Sequence, residues 1–185
     1  MLDSQIRDTY SCLSLFEVMF SAAETDLEAE PTTEQMAAHE RWMREALRVA
    51  FAARAIGEVP VATCVVVGDQ LLAAAGNRTR TDCDPTAHAE IVALREASRK
   101  TGNYRLANAS VYSTIEPCAM CAGALIQARV KLLVYGATDK KAGAVESHFH
   151  ICDANQLNHR IEVIKGVLEP ECRALMQEFF RERRC

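Results

Sequence analysis

The chain has 185 residues, 49% of them hydrophobic and 25% charged, and a formal net charge of −4. That length and balance suit one globular domain with a real core, and there is no low-complexity segment or internal repeat. Eight cysteines at uneven spacing, with no secretory pattern ahead of them, point to reduced thiols in a cytoplasmic protein rather than a disulfide scaffold.

The charge is unevenly spread. Residues 1–35 hold eight acidic side chains against Arg7 alone, a net −7 that leaves +3 on the remainder. The acidic, interrupted apolar run from Tyr10 to Phe20 is too short for a membrane span and wrong for a signal or transit peptide, so no membrane partner is expected. Two domain-level segments follow: an acidic, loosely ordered extension over 1–35 with a short amphipathic helix, and a globular domain over 36–185. Pro31-Thr32-Thr33 marks the boundary.

Met36 to Ile56 is read as a helix, with Met43, Leu47, Ala50, Phe51 and Ile56 as its apolar stripe and Gly57 as its stop. Trp42 is assigned to the core. Val61 to Val67 and Leu71 to Ala75 form a hairpin around Gly68-Asp69-Gln70. A polar loop over Thr79 to Thr86 leads to a helix that starts near His88 and ends at Gly102-Asn103. Ser110 to Ile115 is a strand, and the helix after it opens at Pro117, where the missing N–H costs nothing. Lys131 to Tyr135 and Ile161 to Ile164 are further strands. The stretch between them is irregular, with a short helix expected around Ile151 to Gln156. Pro170 opens the last helix, which ends in Arg181-Glu182-Arg183-Arg184. Strands alternating with helices after a hairpin predict an α/β fold, a mixed sheet with helices packed on its faces.

Chemistry concentrates in two short motifs, His88-Ala89-Glu90 and Pro117-Cys118-Ala119-Met120-Cys121, both at predicted helix N-termini. The C-x-x-C places two sulfurs on one side of a helical turn, where the helix end favours thiolates. His88 adds a third ligand for Zn2+, one ion per subunit, and the fourth tetrahedral position stays open to water. A zinc ion lowers the pKa of such a water and makes a nucleophile available. Glu90 is two residues from His88, off its helical face, so the two converge only in front of the first turn. There it can serve as general acid and base.

His-Ala-Glu followed by Pro-Cys-x-x-Cys resembles the signature of the cytidine deaminase-like zinc deaminases. The wider match runs through Glu58-Val59-Pro60-Val61, Asp84 to Ile91, Asn103-Tyr104-Arg105-Leu106, Glu116 to Ala124, Asn158-His159-Arg160 and Phe179-Phe180-Arg181. It resembles the bacterial tRNA-specific adenosine deaminases over about residues 36–184. That resemblance implies a three-layer fold with a central five-stranded mixed sheet. It also implies hydrolytic conversion of adenosine to inosine at the wobble position of tRNA anticodons. Asn77 would hydrogen-bond the flipped base, Val59 would line its pocket, and Asp139 would sit on a loop meeting the RNA backbone. The final arginines would reach phosphates, or simply cap a solvated helix end. The partners implied are the tRNA anticodon arm and a second copy in a homodimer.

The chain departs from the family pattern in its acidic extension, which has no counterpart, in Lys140-Lys141 after Asp139 where Ala-Lys is usual, and at two positions expected near the pocket. Ala62 replaces a usual glycine, with its methyl expected near the pocket floor, and Gly76 replaces a usual aromatic, which is expected to loosen the rim. Two other readings remain at this stage: a free-base or nucleoside deaminase such as a guanine deaminase, and a non-catalytic zinc-containing RNA-binding subunit.

Overall fold

A computed structural model describes residues 32–183. Of the expected extension over 1–35, residues 1–31, with Cys12 among them, lie outside the described residues, as do the terminal Arg184 and Cys185, while Thr33 to Gln35 belong to the first helix. The elements are α1 (Thr33–Ala55), β1 (Ala62–Val67), β2 (Gln70–Gly76), α2 (Ala89–Thr101), β3 (Ala109–Ile115), α3 (Ala119–Gln127), β4 (Leu132–Ala137), β5 (Glu162–Lys165) and α4 (Glu169–Glu182).

The five strands form one sheet in the order β2-β1-β3-β4-β5. β1 pairs antiparallel with both β2 and β3, while β3, β4 and β5 run parallel. The expected mixed sheet is therefore present. Strand alternation splits the interior into two cores. Val65, Val111, Leu133 and Tyr135 face α2 and α3, meeting Leu94, Ala97, Leu125 and Ile126. Cys64, Val66, Tyr112 and Val134 point the other way, onto Met43, Ala46, Leu47 and Ala50 of α1 and Leu175 of α4. This gives three layers, helix on sheet on helix.

Several expectations need correction. α1 begins at Thr33, three residues before Met36, and its buried stripe is Met43, Ala46, Leu47, Ala50 and Ala53. Phe51 and Ile56 are exposed. An apolar residue one step off the 3.6-residue period is carried round to solvent. Trp42 is only half-buried against the second core, with the Arg41 guanidinium 4.6 Å from its ring centroid. No helix forms at Ile151 to Gln156, which is a run of turns.

The two departures expected near the pocket also lie elsewhere. Ala62 is fully buried in the α1-side core, not at a pocket floor, because strand alternation turns it away from Val61. Gly76 faces α1: a Cβ there would lie 2.8 Å from the Cβ of Ala53, so the glycine permits close helix–strand approach rather than opening a rim.

Among the described residues no helix is long and apolar enough to cross a membrane. The six described cysteines are all free; Cys64, Cys121, Cys152 and Cys172 are buried, and Cys83 is exposed.

Candidate active site

The start of β1, the end of β2 and the ends of β3 and β4 all reach one edge of the sheet. The register shows it: Ala62 pairs with Gly76, Thr63 with Ser113, and Ile115 with Ala137. Ligands in such sheets sit beyond strand ends and at helix starts. A cavity of about 350 Å³ lies here, lined by Val59, Val61, Asn77, Thr79, His88, Glu90, Ile115, Glu116, Cys118, Asp139, Lys141, Ala142, Met176 and Phe180.

His88 is the N-cap of α2 and Cys118 the N-cap of α3, both with extended backbones, which aims their side chains outward along the helix axes. Cys121 lies one turn into α3. His88 Nδ1 is 3.7 Å from Cys118 Sγ and 3.6 Å from Cys121 Sγ. All three donor atoms lie within 4.8 Å of one another. A tetrahedral zinc with ordinary Zn–S and Zn–N bonds holds its sulfur and nitrogen ligands about 3.6 Å apart. The donor set therefore fits zinc in spacing and in kind. Its electrostatics agree. Hydrogen bonds from Cys121 and His88 pull the Cys118 thiol down to about 3. The Cys121 thiol is pushed up, first by that neighbouring thiolate and then by burial. Two sulfurs this close share a proton until a cation replaces it.

Glu90 stands outside the donor trio but beside it, its Oε2 3.4 Å from Cys121 Sγ. Its other oxygen accepts from Ser113 Oγ at 3.4 Å, and Ser113 in turn accepts from Thr63 at 3.4 Å, so the sheet itself aims the carboxylate. Burial is the main reason its carboxyl is raised above the ordinary value. A raised carboxyl on a cavity wall is suited to proton transfer.

Val59 and Asn77 line the cavity. Asp139 lines it too, but its side chain is committed to its own turn. Its Oδ1 accepts from the N–H of Lys141 at 2.9 Å and of Ala142 at 3.3 Å. The arginines of α4 are also engaged: Arg173 pairs with Glu169, and Arg183 donates to the Gly57 carbonyl and stacks on Phe179.

Two buried carboxylates had no assigned role. Glu58 accepts from the backbone N–H groups of Arg80 and Thr81, from the Thr81 hydroxyl and from Asn77. Glu116 accepts from the N–H groups of Asp139, Val145, Glu146 and Ser147 and from the Ser147 hydroxyl. Each gathers one loop of the cavity mouth. The only signal in the sequence was their place beside Val59 and Pro117 in the matching stretches.

Comparison with known proteins places this geometry in a class. The MafB19-like deaminase family matches residues 37–184, and the chain belongs to that deaminase family. Its relatives narrow the class further. A tRNA-specific adenosine deaminase from Haemophilus influenzae is 47% identical over 146 residues, covering 78% of this chain and 84% of the relative. One from Bacillus subtilis is 40% identical over 149 residues, covering 80% and 92%. A solved tRNA:A34 deaminase, which edits A to I at the wobble position, matches with a TM-score of 0.71 and 41% identity. That match covers 73% of this chain and 98% of the other. A guanine deaminase from Nitrosomonas europaea matches with a TM-score of 0.64 and 27% identity, over 76% and 83%.

Proposed function

We propose that this chain deaminates adenosine to inosine at the wobble position of tRNA anticodons, as a zinc-dependent cytoplasmic homodimer. The observation that carries the reading is the convergence of His88, Cys118 and Cys121, at zinc spacing, with buried Glu90 on one cavity. The identity to tRNA-specific adenosine deaminases, higher than to the guanine deaminase, supports the choice of substrate.

His88, Cys118 and Cys121 would hold the ion, one per subunit, and the chemistry it supplies is activation of water as a nucleophile near neutral pH. Glu90 takes the proton of the water that adds to carbon 6 of the base and delivers it to the departing amino group. The balance is adenosine plus water giving inosine plus ammonia. Val59 packs on the base. Asn77 hydrogen-bonds it, and the Asp139 loop meets the RNA backbone. A duplex or stacked loop cannot present the reacting carbon, so the nucleotide must enter the cavity unstacked.

A groove adjoining the cavity supports an RNA partner. It is lined by Thr138, Lys140, Lys141, Arg173, Phe180 and Arg181 among others, combining cationic side chains with an exposed aromatic ring.

The test sets zinc-loaded protein against an anticodon stem-loop with adenosine at the wobble position and, separately, against free guanine, adenine and cytosine. Inosine is expected in the RNA and no turnover of the free bases. Glu90→Ala is expected to keep its zinc and lose activity by about 100-fold or more. Turnover of a free base with no inosine in RNA would assign the site to the other branch of deaminases.

A further inference from the structure

Glu58 is a fully buried carboxylate that is neither a metal donor nor itself a lining residue of the cavity. It sits in the turn between α1 and β1, after Gly57 ends the helix with a positive φ of 84°. One carboxylate oxygen accepts from the Arg80 N–H at 2.9 Å, the Thr81 N–H at 2.6 Å and the Thr81 hydroxyl at 2.8 Å. The other accepts from Asn77 Nδ2 at 3.2 Å. The second proton of the Asn77 amide goes to Thr79 Oγ1 at 2.9 Å. Asn77 is itself 7% exposed and lines the cavity beside His88 and Glu90.

A carboxylate only accepts, so the Asn77 side chain has one way to meet it: amide nitrogen toward Glu58, oxygen turned away. Glu58 is held ionised. Burial alone would raise its carboxyl, but the donors from Thr81, Asn77 and Arg80 outweigh it and leave it below the ordinary range. We infer that Glu58 is the positioning residue that fixes which way the Asn77 amide faces in the cavity, and so sets how the site reads the base. The inference rests on the placing of Asn77 against the substrate base in the function proposed above. Glutamine at 58 reverses the logic. Its oxygen is claimed by Arg80 and Thr81, so its NH2 faces the Asn77 NH2, and relief requires Asn77 to flip.

The test uses the full zinc-loaded chain and whichever substrate the wild type turns over, stem-loop or free base. A wrong substrate reading then shows in the wild type alone. Glu58→Gln is expected to lower kcat/KM by about 10- to 100-fold, chiefly through KM, with zinc content close to wild type and the chain still folded at the assay temperature. Adding Asn77→Ala to Glu58→Gln is expected to cost less than about threefold more, because the misplaced amide has already lost its contact. Glu58→Gln within about threefold of wild type, or losses that multiply in the double variant, would overturn the role. If Glu58→Gln fails to fold or load zinc, Asn77→Asp decides. Beside ionised Glu58 its carboxylate must take a proton, so its activity relative to wild type falls as pH rises between about 5 and 8. A flat ratio would overturn the inference.

Discussion

At the scale of single residues, the site divides into side chains whose chemistry announces them and side chains whose role exists only in the fold. His88, Cys118, Cys121 and Glu90 were legible because zinc needs those donor types, and few other uses explain a C-x-x-C behind a His-x-Glu. Glu58 and Glu116 were not, because a glutamate in a turn reads as solvated until its surroundings are known. Nothing local in the sequence shows that the backbone of residues 80–81, or of 139–147, folds back onto it. Glu58 also gives the fold a pH dependence. A carboxyl depressed in the folded state stabilises it above the unfolded pKa, near 4.5, and that contribution is lost as pH falls through the folded value. Urea melts from about pH 7 to pH 3 are expected to show stability falling more steeply below about pH 4.5 in wild type than in Glu58→Gln. Comparing the two cancels the acid loss of zinc that both share. Parallel curves would mean that Glu58 carries no depressed pKa.

At the scale of elements, the alternation of β1, β3 and β4 and the starts of α2 and α3 were readable because period and capping position are local properties. The segment from Thr138 to Asn158 was not. The helix expected at Ile151 to Gln156 is absent, the Ile151 N–H going back to the Ala144 carbonyl instead, and the first part of the segment is organised by a side chain from another element. Glu116, at the end of β3, collects four backbone N–H groups and a hydroxyl from residues 139–147. Gly143 makes that convergence possible. A Cβ at Gly143 would collide with the Glu116 carboxylate and lie 2.6 Å from the Asp139 carbonyl oxygen. Gly143→Ala is expected to cost about 1–3 kcal/mol of stability and to lower activity by displacing the cavity wall that carries Asp139 and Lys141. Thermal melting and kcat/KM measured side by side check this. A variant with wild-type stability would show that the loop adapts, and that Glu116 does not define its course.

At the scale of the whole molecule, the parallel half of the sheet brings the β3 and β4 ends together, and antiparallel β1 adds its own start and the end of β2. One edge therefore receives both metal motifs, Val59, Asn77 and the Asp139 loop, although they span residues 59–139. The C-terminal end of α1 is tied to the last helix as well: Arg54 of α1 bonds Glu178 and Glu182 of α4, and Arg183 reaches Gly57. The rear of α4 is thus anchored while Met176 and Phe180 face the site. Apart from these anchored arginines, Lys140 and Lys141 are exposed cations beside the groove. If phosphates follow it, binding of the stem-loop weakens as salt rises, and the double substitution Lys140→Ala and Lys141→Ala reduces the slope of log K against log salt by about 1 to 2. An unchanged slope would move the RNA path off this face.

The central claim is that this cavity converts adenosine to inosine in an anticodon loop. Its most direct measurement is mass spectrometry of a wobble-adenosine stem-loop after incubation with the zinc-loaded chain. Wild type is expected to add about 1 Da at the wobble nucleotide alone, with one ammonia released per inosine, and Glu90→Ala to add none. An RNA that stays unchanged with fully zinc-loaded wild type, or one modified equally well by Glu90→Ala, would contradict the account.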